Sequence, residues 1–159
     1  MTEFPVTVED AGAMVTATQR LPGCPPERAL AAFTDPAAVV RWWTGVLSAT
    51  LMPGGPYIVR FPNLGAAMSG QVVRYQPGSH LEFTWAWAHD PAAPRRTVLV
   101  TVAGDAGTGG TLLTIVHGPH GDGAAEATAR AEHREGWEFF LPRLGSLVSG
   151  VRATTGRSG

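Results

Sequence analysis

Two histidines are the residues of this sequence best suited to acid–base chemistry. His117 has the same strand parity as Leu113 and Ile115, so it should face the side that those apolar residues face. His133 precedes Trp137 by one helical turn, on the same helix face. An imidazole near neutral pH can serve as an acid, a base or a hydrogen-bond donor, which predicts a polar end to a pocket. The alternative is a pair of buried, hydrogen-bonded histidines that fix the helix against the strand.

A row of aromatic side chains accompanies the histidines. Phe83, Trp85 and Trp87 alternate with polar or small residues and should share one face of a strand. Such a row can form the wall of a site for a flat or apolar ligand. Ordinary core packing is the alternative, and it applies equally to Trp137, which should lie in mid-helix facing the sheet.

Other residues complete the predicted site. For the adjacent Trp42 and Trp43 we expect one ring to pack inward and the other to cap the pocket mouth, unless both form a hydrophobic plug. Arg60 could orient a carboxylate or enolate at the mouth, unless it is exposed or paired. The predicted ligand-binding set is Trp42, Trp43, Arg60, Phe61, Met68, Phe83, Trp85, Trp87, His117, His133, Trp137 and Phe140.

Several kinds of chemistry are not expected. His117, His120 and His133 could be combined into a metal site, but they fall on a strand end, a loop and a helix with no carboxylate placed as a fourth ligand, so we predict no metal. All 12 cationic residues are arginines, which excludes Schiff-base chemistry and a phosphate-loop lysine. We therefore predict no cofactor.

Composition narrows the partners and the compartment. The 159 residues carry a net charge of −1, which predicts neither nucleic-acid nor membrane binding. The single Cys24 excludes an intrachain disulfide and fits a reducing compartment. The N-terminus lacks the pattern of a signal peptide, and no apolar stretch is long enough to span a bilayer, so we expect a cytoplasmic protein.

The spacing of turn residues predicts an α+β fold. A first strand over Met14–Leu21 should precede two short helices, and the strands that follow lack crossover helices, so the sheet should be antiparallel. Apolar residues at three- and four-residue spacing predict a long helix from Ala124 to about Gly150. We expect a single domain over residues 12–150, with flexible termini at 1–11 and 151–159.

A pocket follows from this arrangement. A curved antiparallel sheet of six to seven strands, wrapped around a long straight C-terminal helix, cannot contact that helix along its whole length. The gap between the two should be lined by whatever faces inward, and here the inward set is rich in aromatic rings.

Short motifs in a particular order carry a family resemblance. In sequence, they are Pro25-Pro26-Glu27-Arg28, Phe33-Thr34-Asp35-Pro36, Arg41-Trp42-Trp43, Pro53-Gly54-Gly55, Phe83-Thr84-Trp85, Gly110-Thr111 with Leu113-Thr114, and His133-Arg134-Glu135-Gly136-Trp137. The chain resembles the bacterial AHSA1-like (activator of Hsp90 ATPase homologue 1-like) branch of the SRPBCC/START/Bet v 1 superfamily, from Met14 to Val148. The resemblance implies a helix-grip fold with a hydrophobic ligand cavity, often in a homodimer. Family members that stimulate Hsp90 carry an additional N-terminal domain, so we do not expect Hsp90 as a partner.

Three functions remain open at this point, because fold alone does not decide chemistry. The first is binding of a small hydrophobic or aromatic molecule inside the cavity. The alternative is a cyclase, aromatase, isomerase or hydrolase that acts on a polyketide-like or other natural product, with His117 and His133 as acid–base groups. A third is regulation of another protein without any ligand, which predicts a filled interior and an exposed apolar patch.

Overall fold

A computed structural model describes residues 5–157, with side chains up to residue 149. It contains eight strands and three helices over that range. In chain order they are β1 (Val6–Ala11), β2 (Met14–Leu21), α1 (Pro26–Ala31), α2 (Pro36–Trp42), β3 (Val46–Ala49), β4 (Pro56–Phe61), β5 (Ala66–Gln76), β6 (His80–Trp85), β7 (Arg96–Asp105), β8 (Gly110–Gly118) and α3 (Ala124–Arg157).

The strands form one antiparallel sheet in the order β1-β2-β8-β7-β6-β5-β4-β3. The sheet curves around α3, with α1 and α2 early in the chain, so the predicted helix-grip fold is confirmed. The number of strands is eight rather than six to seven. The additional strand is β1, which pairs with β2 from Val6 opposite Gln19 to Ala11 opposite Met14.

Regular secondary structure is present near both ends of the described part of the chain. Residues 6–11 form β1 because alternating Val6 and Val8 pack partly buried against the core while the residues between them face outward. At the other end, α3 continues to Arg157 instead of ending near residue 150. Residues 1–4, 158 and 159 lie outside the described part of the chain. The domain limits of 12–150 stay a prediction.

The two short helices begin at prolines, which suit the first helical turn because no backbone N–H is needed there. Pro26 starts α1, and Pro36 starts α2. The Asp35 side chain caps α2 by accepting a hydrogen bond from the backbone N–H of Ala37 at 3.0 Å. Helix α2 ends at Trp42 and Trp43 follows it as the C-cap, and both side chains are buried.

Hydrogen bonds near the start and near the middle of α3 attach it to the sheet. Near its start, the Arg96 guanidinium of β7 donates to both carboxylate oxygens of Glu126, at 2.8 and 2.9 Å. Further along, Gln19 Nε2 of β2 donates to the carbonyl oxygen of Leu141 at 2.8 Å. Between these two attachments α3 passes over the concave face of the sheet. Within the described residues, no helix is both long and apolar enough to cross a membrane.

Candidate functional site

A cavity of about 430 Å³ lies between the sheet and α3. Its wall is mostly aromatic, with two histidines and a few polar residues at the rim. The aromatic members of the wall are Trp43, Phe61, Trp85, Trp87, Trp137, Phe139 and Phe140.

Local sequence patterns direct these rings inward. Strand β6 alternates buried and half-buried residues, and Trp85 is its last inward side chain. Trp87 lies beyond the end of β6, where it forms an isolated antiparallel bridge with Met68 of β5. Because the bridge continues the pairing past the strand end, Trp87 stays beside Trp85, with ring centroids 5.7 Å apart.

Trp43 is the ring that joins the two layers. It is buried, and its centroid lies 6.1 Å from that of Trp85 on the sheet and 5.7 Å from that of Trp137 on α3. On its other side it stacks on Trp42, with centroids 4.8 Å apart and planes at 12°. Both tryptophans are buried and only Trp43 reaches the cavity, which favours the alternative of a hydrophobic plug over a ring that caps the mouth.

Three histidines meet at the polar end of the cavity. His117 comes from β8, His120 from the loop after it, and His133 from α3. The His117 and His133 rings stack with centroids 4.1 Å apart. His120 Nε2 and His133 Nδ1 share a hydrogen bond of 2.9 Å, and the Trp85 ring lies 5.6 Å from that of His133.

Hydrogen-bond partners assign the protons on these rings. His120 Nδ1 lies 3.1 Å from the carbonyl oxygen of Ala13, which can only accept, so His120 Nδ1 carries the proton. In neutral His120, Nε2 then accepts, which makes His133 Nδ1 the donor and leaves a lone pair on His133 Nε2. The His117 ring is the opposite tautomer. Its Nδ1 accepts from Trp137 Nε1 at 3.1 Å, so its Nε2 carries the proton.

Burial keeps this cluster neutral. The pKa of His133 is lowered to about 3, mainly by desolvation, with the neighbouring His120 and Arg96 acting in the same direction and Glu126 in the opposite one. Desolvation also lowers the pKa of His117 well below its usual value, with His133 and His120 adding to the effect. The pKa of His120 is lowered for the same first reason. The cavity therefore presents neutral imidazoles at physiological pH.

One indole N–H group and one imidazole N–H group in this wall have no hydrogen-bond partner in the described part of the protein. Among the described residues, Trp85 Nε1 and His117 Nε2 are buried atoms without a hydrogen bond, and both residues line the cavity. His133 Nε2 also makes no hydrogen bond, but it is not among the atoms shielded from solvent. The polar end of the cavity thus contains one acceptor that solvent can reach, on His133, and two N–H groups that are shielded from solvent.

The structure brings most of the predicted ligand-binding set together and leaves four members elsewhere. The members that line the cavity are Trp43, Phe61, Trp85, Trp87, His117, His133, Trp137 and Phe140. Trp42 packs in the core, where its Nε1 donates to the Ala32 carbonyl oxygen at 2.7 Å. Met68 and Phe83 are fully buried, and Phe83 stacks on Tyr57. Arg60 faces outward, because Val59 and Phe61 take the inward positions of β4.

The predicted ligand-binding set omitted several residues of the site. Gly136 lines the cavity from α3, and a Cβ built there meets nothing within 4 Å. A glycine inside a predicted helix is a usable signal, because it lowers helix stability and needs a reason. Thr44 also lines the cavity, in a left-handed backbone conformation with φ of 56°. No local sequence pattern indicated that His120 would form a hydrogen bond with His133.

Neither a metal site nor a strongly charged site is formed here. No group of three or more His, Cys, Asp or Glu side chains within residues 5–149 is arranged to hold a metal ion. The histidine lone pair that a metal would need on His120 is used by His133.

A second cavity of about 540 Å³ shares Leu64, Trp85, Trp87, Glu132 and His133 with the first, so His133 stands in the wall common to both.

Comparison with known proteins identifies the family. The family model described as "Activator of Hsp90 ATPase homolog 1-like protein" matches residues 23–149. The chain belongs to this family. No curated protein matches the sequence.

Solved structures of similar proteins share the AHSA1-like fold. Protein MLL2253 from Mesorhizobium loti is 25% identical with a TM-score of 0.71, over 84% of this chain and 95% of that one. DynU16, from the dynemicin biosynthetic locus, is 28% identical with a TM-score of 0.72, over 88% of this chain but 49% of DynU16. CalU16 from Micromonospora echinospora is 24% identical with a TM-score of 0.68, over 94% and 84%, and this likeness shows the fold alone.

Proposed function

We propose that this AHSA1-like protein binds a small apolar or aromatic molecule in the cavity between its sheet and α3. The observation that carries the proposal is the cavity itself, about 430 Å³ with an aromatic wall. Small-molecule sites are commonly about 300 to 1,000 Å³ and mostly apolar, with a few polar groups that orient the ligand. Regulation of another protein without a ligand predicts a filled interior, which this cavity argues against.

The cavity also has an opening suited to an apolar ligand. Leu64 and Phe139 line it and are 67% and 58% exposed, respectively. Arg143 lies beside them, with its guanidinium carbon 5.0 Å from the centre of the Phe139 ring. A rim of large exposed apolar side chains is typical of a ligand entrance.

Gly136 provides the test of this proposal. The probe is N-phenyl-1-naphthylamine, a neutral dye whose fluorescence rises in apolar surroundings. The variant Gly136→Leu should fill part of the cavity, because Gly136 lines it and a Cβ there meets no atom within 4 Å. We expect wild-type protein to bind the dye and Gly136→Leu to bind it at least tenfold more weakly.

The matched control is Glu135→Leu, the same new side chain on the neighbouring exposed position of α3. It should leave dye affinity within about threefold of wild type. No saturable binding by wild-type protein, or equal binding by Gly136→Leu and Glu135→Leu, would remove the cavity as the site.

The enzyme alternative, with His117 and His133 as acid–base groups, is less well supported. A general base works best when its pKa lies near the working pH. With a pKa of about 3, His133 is a weak base, and His117 is lowered in the same direction. These neutral rings are better suited to hydrogen bonding than to removing a proton from carbon.

Deuterium exchange separates the two functions. In D₂O, a base in the cavity would accelerate exchange of the methyl protons of 2-acetylnaphthalene, which NMR follows directly. We expect no acceleration by wild-type protein at concentrations that saturate the probe. Acceleration that disappears in His133→Gln while probe binding remains would favour the enzyme.

A further inference from the structure

We propose that the cavity selects ligands that carry a hydroxyl group, because His133 presents a lone pair to it. This inference rests on the proposed function and specifies the ligand's chemistry. The acceptor is Nε2 of His133, which makes no hydrogen bond to the protein, and the His133 residue stands in the wall that the two cavities share.

A directional chain of hydrogen bonds fixes that lone pair. The Ala13 carbonyl oxygen accepts from His120 Nδ1, and His120 Nε2 accepts from His133 Nδ1. A second contact holds the loop in place, because the backbone N–H of His120 donates to the same Ala13 oxygen at 2.7 Å. Reversing the His133 tautomer would set two lone pairs against each other at 2.9 Å. His120 is therefore a positioning residue, which acts on the ligand through His133.

The surrounding groups favour a hydroxyl over other hydrogen-bond donors. A hydroxyl group donates one hydrogen bond and has lone pairs that accept others. The unpartnered N–H groups of Trp85 and His117 belong to the same wall, and the Trp85 ring lies 4.9 Å from that of His117. Both N–H groups are shielded from solvent, so a ligand hydroxyl that donates to His133 can accept from one of them once the wall rings shift slightly. A phenol or alcohol on an otherwise apolar molecule is the ligand class that this wall fits.

The test compares two probes, 2-naphthol and 2-methoxynaphthalene. The ether has the same rings and oxygen but no O–H. A cavity that recognises only apolar surface should prefer the ether severalfold, because the ether buries one more methyl group. A cavity with the His133 acceptor should prefer 2-naphthol about tenfold, since the ether leaves that acceptor unpaired. The two hypotheses therefore predict preferences of opposite sign, measured by isothermal titration calorimetry at pH 7.

Three variants test whether His133 causes the preference for 2-naphthol over the ether. In His133→Phe the ratio of naphthol to ether affinity should fall to one or below, while ether affinity changes by less than about threefold. Trp87 also lines the cavity but takes no part in the hydrogen bonds of His120 and His133. In Trp87→Phe, both affinities should therefore fall together and their ratio should remain unchanged. In His120→Phe the His133 ring loses its fixed tautomer, so the ratio should fall severalfold. An unchanged ratio in His133→Phe overturns the proposal.

NMR provides a readout that does not depend on the folding of any variant. The ¹⁵N shifts of wild-type imidazoles should show the proton on Nδ1 of His133 and on Nε2 of His117. Addition of 2-naphthol should shift the His133 Nε2 signal, and the ether should shift it much less. A proton on Nε2 of His133, or a preference for the ether, overturns this inference alone. Failure of both probes to bind overturns the proposed function as well.

Discussion

The ring centroids of His117, His120 and His133 lie between 4.1 and 5.8 Å from one another, inside an aromatic wall. A positive charge on any one of these rings would be shielded from water and would lie close to the other two rings. Arg96 adds a further positive charge nearby, only partly offset by Glu126. The cluster is therefore stable in its neutral form and opposes protonation.

This cluster should make the protein less stable in acid. In the unfolded protein, a histidine side chain binds its proton below about pH 6.5. In the folded protein His133 binds it only near pH 3. The unfolded state thus holds more protons between those values, so stability is full above pH 6.5 and is lost as the pH falls. For His133 the loss between pH 7 and pH 5 should be about 2 kcal/mol.

Urea denaturation at pH 7 and pH 5 measures this loss. In His133→Gln the difference between the two pH values should be smaller than in wild type by that amount. Trp87→Phe provides the control, because it changes another ring of the cavity wall and no titratable group, so it should leave the wild-type pH dependence unchanged. Equal losses in wild type and His133→Gln would contradict the assignment.

Thr44 carries backbone strain at the cavity wall. Its φ of 56° is unfavourable for a β-branched residue. The neighbouring glycine cannot be exchanged with it, because a Cβ on Gly45 would lie 2.4 Å from Val59 Cγ1. Position 45 thus requires a glycine because its backbone lies close to β4. The residue before it, Thr44, therefore adopts the strained conformation.

Two substitutions at this position separate strain from the loss of the hydroxyl, which donates to the Trp43 carbonyl oxygen at 2.6 Å. Both Thr44→Gly and Thr44→Ala remove that bond, but only alanine keeps the unfavourable φ. We expect Thr44→Gly to exceed Thr44→Ala in free energy of unfolding by about 1 kcal/mol. Urea denaturation of the two variants is the measurement, and equal stability would mean that the backbone relaxes at no cost.

At the scale of elements, the close approach of β5 and β6 depends on a glycine. A Cβ on Gly70 would lie 1.8 Å from the carbonyl oxygen of Thr84. Just beyond it, the pairing of β5 with β6 shifts register between Val72 and Arg74. Thr84, which Gly70 approaches, directly precedes Trp85, so this close contact helps to set where the aromatic wall begins.

Gly70→Ala should therefore cost several kcal/mol of stability and disturb the cavity, because backbone atoms cannot move aside as a flexible side chain can. Gly104, in β7, is the matched control, since a Cβ there meets nothing within 4 Å. Gly104→Ala should change stability by less than about 1 kcal/mol. Thermal unfolding followed by circular dichroism distinguishes them, and a similar small effect at both positions would contradict this account.

The elements were more predictable than the site because their signals are local. Alternation placed Trp85 on the inner face of β6, and the prolines at 26 and 36 marked two helix starts. Alternation alone placed Phe83 in the same row as Trp85, although the curve of the sheet directs Phe83 to Tyr57 and the deeper core. The bond between His120 and His133 depends on where a loop meets a helix, and no spacing rule encodes that contact.

At the scale of the whole molecule, packing is tight toward one end of the helix and open at the other. Around α1 and α2 the core is filled, with the Tyr57 hydroxyl donating to the Phe33 carbonyl oxygen and Trp42 fully buried. Toward the first half of α3 the same two layers separate, and aromatic rings line the space between them. Closing that space would bury more apolar surface, so the open arrangement sacrifices stability that the fold could otherwise have.

Gly136 makes this loss measurable. A glycine in a helix interior is about 1 kcal/mol less favourable than alanine, so Gly136→Ala should raise the free energy of unfolding by that amount. Gly136→Leu should add a further gain of about 1 kcal/mol by burying apolar surface in the cavity. Urea denaturation without ligand measures both changes. Since the leucine variant is also the one expected to lose dye binding, higher stability combined with weaker binding would show that the cavity is kept open for a ligand. A destabilised Gly136→Leu would instead mean that the wall cannot accommodate the side chain, and that the space is too small for the ligands proposed here.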